Sequence, residues 1–240
     1  MRCLITLESL KEQAYDLSYY VKLQGVLYDL LEDAGFGSIH DLTPFKYVCF
    51  SNIFPPKDMN KGDERTWIIS SPHQKVIESL GEVFSERKII EPGDQQYKVK
   101  DFDIFGLNPR EKGTMITGTP IVVRLPAQEC KGYGIDPNGY DDVYWRLSHN
   151  PEAFIEKVEE NLASKYSNYY DRTPPERPYF TGFEPRKEVS VPLEYSEREA
   201  TVIGTTWKFN YECESREMRR LIRMGFSAGL GVLNTTGFGF

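Results

Sequence analysis

Met1-Arg2-Cys3-Leu4-Ile5-Thr6-Leu7-Glu8 opens the chain, and its alternation of apolar and polar side chains is that of a half-buried β-strand. From Leu17 to Ala34 the period changes. Tyr20, Leu23, Leu27, Leu30, Leu31 and Ala34 recur at helical spacing on one face, and Gly35 and Gly37 end the helix. Lys46–Phe54 and Arg65–Ser71 are β-branched and aromatic and read as strands. Pro72 opens a second helix through Glu86, with Val76, Ile77, Leu80 and Phe84 inward. Lys88–Phe105 reads as a hairpin turning at Glu91-Pro92-Gly93-Asp94. The resulting order, β-α-β-β-α-β, is the ferredoxin-like split unit, whose wiring is also that of RNA-recognition modules.

The second half reads the same way. Thr114–Leu125 is strand-like, and Asn150-Pro151 caps a helix whose Phe154, Ile155, Val158, Leu162 and Tyr166 share a face. Strands follow at Glu188–Leu193 and Ala200–Cys213, then a last helix over Ser215–Phe226. Gly132–Asp142 and Thr173–Pro178 read as long loops, and no internal repeat is evident. A polar break at Asn108-Pro109-Arg110-Glu111-Lys112 divides the chain into domains 1–110 and 111–240. The fold class expected is α+β, with tandem ferredoxin-like (RRM-like) domains.

Composition narrows the function classes. The 240 residues are 40% hydrophobic and 13% aromatic, with 15 Tyr and 14 Phe, which excludes disorder for most of the length. The amino terminus lacks the marks of a signal peptide, and no apolar run is long enough to span a bilayer, so a soluble cytoplasmic protein without a membrane partner is expected. Cys3, Cys49, Cys130 and Cys213 are far apart, which predicts buried, reduced thiols rather than a disulfide framework or a zinc knuckle. Charge argues against nucleic acid at first sight, because 29 basic and 36 acidic residues leave a net −7. Whole-chain charge averages over faces, however, and in one place the basic residues cluster.

That place is the last helix. Arg216, Arg219, Arg220 and Arg223 fall at i, i+3, i+4 and i+7 and form one stripe opposite Met218, Leu221, Ile222 and Gly225. The plainer reading of such a stripe is a solvated surface face. Four arginines diluted only by Glu214 and Glu217 suit forked phosphate contacts better. Gly229, Gly231, Gly237 and Gly239 follow directly, in paired Gly-x-Gly elements that let backbone N–H groups approach an anion. No Walker lysine and no following helix accompany them. Glycine alone fits a bulged final strand equally well, and the neighbouring arginines favour a phosphate backbone.

Only three histidines occur, and no metal-binding or paired-histidine motif contains them, so zinc hydrolases and two-histidine phosphoesterases are set aside. His73 and His149 flank helix starts and read as structural. His40 lies in the loop Gly35–Pro44, six residues before Lys46. Tyr28 falls about 120° from the apolar face of its helix and is available to a cleft. Imidazole moves protons near neutral pH, while a phenol and an ammonium hold charge developing on a phosphate. Tyr28, His40 and Lys46 therefore make a candidate constellation that needs no metal or other cofactor.

Taken in order, these residues resemble the CRISPR-associated endoribonucleases of Cas family six. The resemblance runs through Arg2–Leu7, Tyr19-Tyr20-Val21-Lys22-Leu23-Gln24-Gly25-Val26-Leu27-Tyr28, His40, Lys46 and the tail from Gly225 to Phe240. It implies tandem ferredoxin-like domains and metal-independent cleavage of CRISPR repeat RNA in precursor transcripts. In that reaction the 2′-hydroxyl attacks the adjacent phosphate, leaving a 2′,3′-cyclic phosphate and a 5′-hydroxyl. By carry-over His40 is general base or acid, Tyr28 orients or activates a reacting oxygen, and Lys46 stabilises the crowded phosphate. The alternative is a non-catalytic RNA-binding subunit of a CRISPR effector complex. A homodimer, and other effector-complex subunits as partners, stay open. Little sequence follows the glycine-rich stretch to make a full last strand.

Overall fold

The computed structural model describes residues 1–15, 19–195 and 198–240. They form two compact units. The first comprises Met1–Leu107 with Pro192–Ala200 and Thr235–Gly237, and the second Asn108–Val191 with Thr201–Asn234 and Phe238–Phe240.

The first unit runs β1 (Arg2–Ser9), α1 (Tyr19–Asp33), β2 (Cys49–Phe50), β3 (Glu64–Ser70), α2 (Gln74–Glu86), β4 (Ile89–Ile90) and β5 (Tyr97–Phe105). Its antiparallel sheet has the order β2-β3-β1-β5-β4. That is the expected β-α-β-β-α-β wiring, with β4 as an added edge strand. Alternation in β1 sends Cys3, Ile5 and Leu7 into the core. The expected inward residues of α1 and α2 are buried there too, among them Leu23, Leu27, Leu30, Val76, Ile77, Leu80 and Phe84. Leu17, the expected start of the first helix, lies outside the described residues. In β5 the register against β1 shifts between Thr6 and Leu7, so Lys100 is an extra residue, and its Nζ pairs with Glu8 Oε2 at 2.8 Å.

One strand is shorter than the sequence suggests. Of Lys46–Phe54 only Cys49–Phe50 is strand, with an isolated bridge from Phe54 to Thr66. Tyr47 adopts a φ of 52°, in the left-handed region, so extended backbone starts only beyond it. Lys46 therefore lies in an irregular segment, not on a strand.

The second unit contains β6 (Lys112–Ile116), β7 (Arg124–Pro126), α3 (Ala127–Cys130), β8 (Asp142–Tyr144), α4 (Pro151–Tyr170), β9 (Gly182–Tyr195), β10 (Arg198–Glu212) and α5 (Arg216–Ala228). The strands form a sheet of order β6-β10-β9 and a separate pair β7-β8. Thr114–Leu125, read as one strand, is split into β6 and β7 across Gly118 and Pro120. The expected loop Gly132–Asp142 contains part of a 3-10 turn, Lys131–Tyr133, and the first residue of β8. After α5 the described residues form no strand. They instead bond individually, Val232 N to Val122 O (3.0 Å), Gly239 N to Pro120 O (2.8 Å) and Gly118 N to Phe240 O (2.8 Å).

Asn150 caps α4 as expected, its Oδ1 accepting from Glu152 N at 2.9 Å. The helix packs Phe154 on Trp207 of β10, with rings stacked 4.3 Å apart, and Trp145 closes the cluster 4.7 Å from Phe154. Ile155 is only half-buried, while the charged Glu159 and Lys165 are buried on the inner side of α4. All four cysteines are buried thiols outside any disulfide.

Glu159 is 4% exposed, and its Oε1 accepts from Tyr179 N (2.6 Å) and Phe180 N (3.2 Å). Burial pushes its carboxyl above the ordinary value, against the pull of those two amides. The folded chain thus holds that proton more tightly than the unfolded chain. The stabilisation gained is full below the unfolded value and lost as pH rises through the folded one. Glu159→Gln keeps an oxygen for both amides and cannot ionise. Its Tm relative to wild type is expected to rise between about pH 4 and about pH 7. A Tm difference that stays constant over that interval would show that Glu159 does not titrate differently on folding.

Candidate active site

Helix α1 places Tyr28 at the edge of its apolar face, half-buried and packed against the core of the first unit. The helix ends at Gly35, whose φ of 81° allows Phe36 N to reach back to Leu31 O at 2.7 Å. A 3-10 turn, Gly37–Asp41, then carries the chain away. Within it Ile39 is buried and the next residue, His40, is 64% exposed. The apolar anchor therefore fixes an imidazole at the surface. The His40 ring meets the Tyr28 ring edge to face, with centroids 4.9 Å apart and planes at 71°.

Lys46 completes the group. Its Nζ donates to Tyr28 Oη at 3.3 Å and to the backbone oxygen of His40, and it lies 5.4 Å from the centre of the Tyr28 ring. Buried Tyr47 and Val48 hold the segment that carries it. Asp41 Oδ1 lies 2.9 Å from His40 Nδ1. With Asp41 accepting, the neutral ring carries its proton on Nδ1. The structure thus brings together the three residues singled out in the sequence, an imidazole, a phenol and a lysine, at the surface of one unit.

Gln24, beside Tyr28 on the helical wheel, makes a contact that the sequence alone does not express. Tyr20, Gln24 and Tyr28 fall at i, i+4 and i+8 on one stripe of α1. Gln24 Nε2 donates to Thr236 Oγ1 at 3.2 Å. Next to it Gly237, with a φ of 91°, is packed so closely that a Cβ would lie 2.7 Å from the Phe50 ring and 3.0 Å from Tyr20. Part of the glycine-rich tail therefore lies along the helix that carries Tyr28. The spacing of those three residues was the available signal.

On α5 the Ser215 hydroxyl caps the start, accepting from Met218 N at 3.0 Å. Arg216 and Arg219 are exposed, Arg220 and Arg223 half-buried, and Leu221, Ile222, Met224 and Gly225 buried. Arg219 Nη2 is 3.6 Å from Glu111 Oε1. The tail glycines behave differently from the expectation of an open anion cradle. Gly229, Gly231, Gly237 and Gly239 are all buried with positive φ, and a Cβ at Gly231 or Gly239 would collide with the backbone oxygens of Val122 and Leu230. Gly229 N donates to Gly225 O and Gly239 N to Pro120 O. The close approach that glycine permits is made by the chain to itself.

A buried cation holds that arrangement. Lys165 is 3% exposed, and its Nζ donates to Gly229 O (2.8 Å), Gly231 O (3.0 Å) and Asn234 Oδ1 (2.6 Å). Asn234 Nδ2 in turn donates to Leu230 O and Phe238 O. A lysine three residues after Leu162, on the inward side of an apolar stripe, was the sequence signal for it.

His73 sits at the start of α2 with its ring 5.8 Å from that of Tyr47, and burial lowers its pKa. His149 Nδ1 accepts from Arg146 N at 3.2 Å. Among the described residues no three of His, Cys, Asp or Glu are grouped to hold a metal ion, and no helix is long and apolar enough to cross a membrane.

Residues 107–240 match the family model described as CRISPR associated protein Cas6, C-terminal. A curated relative from Methanocaldococcus jannaschii, CRISPR-associated endoribonuclease Cas6 2, is 31% identical over 251 residues, spanning 100% of this chain and 98% of that one. A solved structure described as CRISPR associated protein Cas6 superposes with a TM-score of 0.75 at 18% identity, covering 100% of this chain and 97% of the other. A second, described as a RAMP protein binding different RNA substrates, gives a TM-score of 0.75 at 21% identity, covering 100% and 98%. These likenesses establish the tandem ferredoxin-like α+β fold.

Replacing Lys165 with Met strands three acceptors, each worth about 1–3 kcal/mol when left unpaired in the interior. Lys165→Met is expected to lower the denaturant midpoint and to raise amide exchange through residues 229–239. Exchange at the wild-type rate in that segment would show that the ammonium does not hold it.

Proposed function

The chain belongs to the Cas6 family, and we propose that it cuts CRISPR repeat RNA without a metal ion, with Tyr28, His40 and Lys46 as its chemical groups. It is an endoribonuclease that processes precursor CRISPR RNA. The observation that carries the chemical assignment is the meeting of a helix tyrosine, a turn histidine and a loop lysine from three separate segments.

The step balances as a transesterification. One base removes the proton of the 2′-hydroxyl, and O2′ forms a bond to the adjacent phosphorus. The bond from phosphorus to the 5′-oxygen then breaks, and an acid returns a proton to that oxygen. The products are a 2′,3′-cyclic phosphate and a 5′-hydroxyl. His40 Nε2 serves one of the two proton transfers. The Tyr28 hydroxyl accepts from Lys46, which leaves its own proton for a reacting oxygen of the RNA. Lys46 supplies positive charge where negative charge accumulates on the phosphate.

Affinity for a polyanion must come from local charge, because the chain is net −7. Arg216, Arg219, Arg220 and Arg223 are the phosphate contacts in this reading. Gly229, Gly231, Gly237 and Gly239 shape the tail beside them. The reaction takes place in the cytoplasm, where precursor transcripts arise.

Labelled repeat RNA incubated in excess EDTA tests the chemistry. Wild type is expected to cut it, a substrate with a 2′-deoxy sugar at the cut site to survive, and His40→Ala to be slower by about 100-fold or more. Wild-type speed in His40→Ala would remove His40 from the mechanism. For the arginines, Arg219→Ala and Arg223→Ala are each expected to weaken binding and reduce the slope of log K against log salt by about one phosphate contact. An unchanged slope in both would return the stripe to a solvated face.

A further inference from the structure

The last turn of α4 carries two aromatic residues that nothing above has used. Tyr169 and Tyr170 meet edge to face, with ring centroids 4.8 Å apart and planes at 82°. Tyr170 also packs on Tyr166, at 4.8 Å and 52°. Tyr166 is fully buried, whereas Tyr169 and Tyr170 are half-buried. The buried ring thus anchors Tyr170, and Tyr170 in turn meets Tyr169.

Their position matters more than their exposure. Tyr169 follows Leu162 by seven residues and Lys165 by four, and so lies on the same stripe of α4. That stripe faces α5: Gly225 has no Cβ, and one added there would lie 3.6 Å from Leu162. Burial and the neighbouring Tyr170 push the Tyr169 phenol up, and the charge of Arg223 on α5 opposes them. Tyr169 therefore stands at the arginine-bearing helix.

Two exposed aromatics have acidic neighbours in sequence instead. Tyr140 is 71% exposed, but Asp136, Asp141 and Asp142 surround it in sequence, and Phe183 is followed by Glu184. Beside Tyr170, Asp171 is offset by Arg172. A flat ring next to a guanidinium row supplies the two things a single strand of nucleic acid requires, a stacking surface for a base and cations for its phosphates.

We propose that Tyr169 and Tyr170, with Arg223, form a stacking site for one unpaired base of the bound RNA. The proposal rests on the reading of CRISPR repeat RNA as the substrate. It assigns the rings to binding and gives them no part in bond cleavage.

The test uses full-length protein and repeat RNA blocked by a 2′-deoxy sugar at the cut site, with 2-aminopurine placed at successive positions. In wild type one position is expected to be quenched on binding. Tyr169→Ala should lose that quenching and bind about 5- to 150-fold more weakly, the range for one stacked base. Tyr169→Phe should keep both, and Tyr169→Leu, which preserves apolar bulk for folding, should behave like Ala. The salt slope should stay at the wild-type value in Tyr169→Ala and fall in Arg223→Ala, because only the second removes a charge. Wild-type affinity and quenching in both Tyr169→Ala and Tyr169→Leu would overturn the stacking site and leave the substrate standing. Failure of wild type to bind the blocked RNA would overturn the substrate reading and the stacking site with it.

Discussion

The second unit is organised around one buried positive charge. An ammonium removed from water costs several kcal/mol unless the protein supplies acceptors in its place. Lys165 finds three, and all belong to the stretch that follows α5. Two are main-chain oxygens just past the helix, where backbone carbonyls are left without intrahelical partners and a cation is favoured by the helix dipole. The third is Asn234, which turns its amide back onto Leu230 and Phe238. The unit therefore closes without a regular fourth strand, because residues 229–240 are pinned from inside and bond one by one to Gly118, Pro120 and Val122. The left-handed glycines follow from this demand, since only residues without a Cβ let the tail lie so close to its own backbone.

Much of the architecture is legible in the chain because local preference and tertiary packing agree there. The alternation of Arg2–Ser9, the inward row Val76, Ile77, Leu80 and Phe84, and the Asn150-Pro151 cap each state a period or a boundary that the fold keeps. Disagreement falls where distant residues decide. The left-handed Tyr47 shortens β2, although its segment is β-branched and aromatic throughout. β7 pairs with β8 across the Lys131–Tyr133 turn, and such a partner is not encoded in either short stretch. Glu159 and Lys165 look like the polar side of an amphipathic helix until their partners, Phe180 and Gly229 among them, are in place.

The candidate site was legible by elimination and chemistry rather than by motif. Few histidines, one of them outside any periodic element, drew attention to His40, and Tyr28 stood out by its angle on α1. What the sequence does not express is that Lys46 touches both. Its bond to Tyr28 spans eighteen residues and depends on the path of an irregular segment. The glycines show the opposite failure. Their composition fits an anion cradle, and only packing reveals that Gly231 and Gly239 lie against the carbonyls of Val122 and Leu230.

The ion pair between Arg219 and Glu111 bears on selectivity. Both side chains are well exposed, at 46% and 85%, so the pair is loose and readily exchanged. If Arg219 binds phosphate as proposed, the phosphate displaces a carboxylate rather than filling an empty place, and a stray monovalent anion gains little from the exchange. A ligand that engages several guanidiniums at once recovers the loss through its other contacts. On a chain with more carboxylates than cations, such a loose pair would under that reading favour multivalent ligands over single ions.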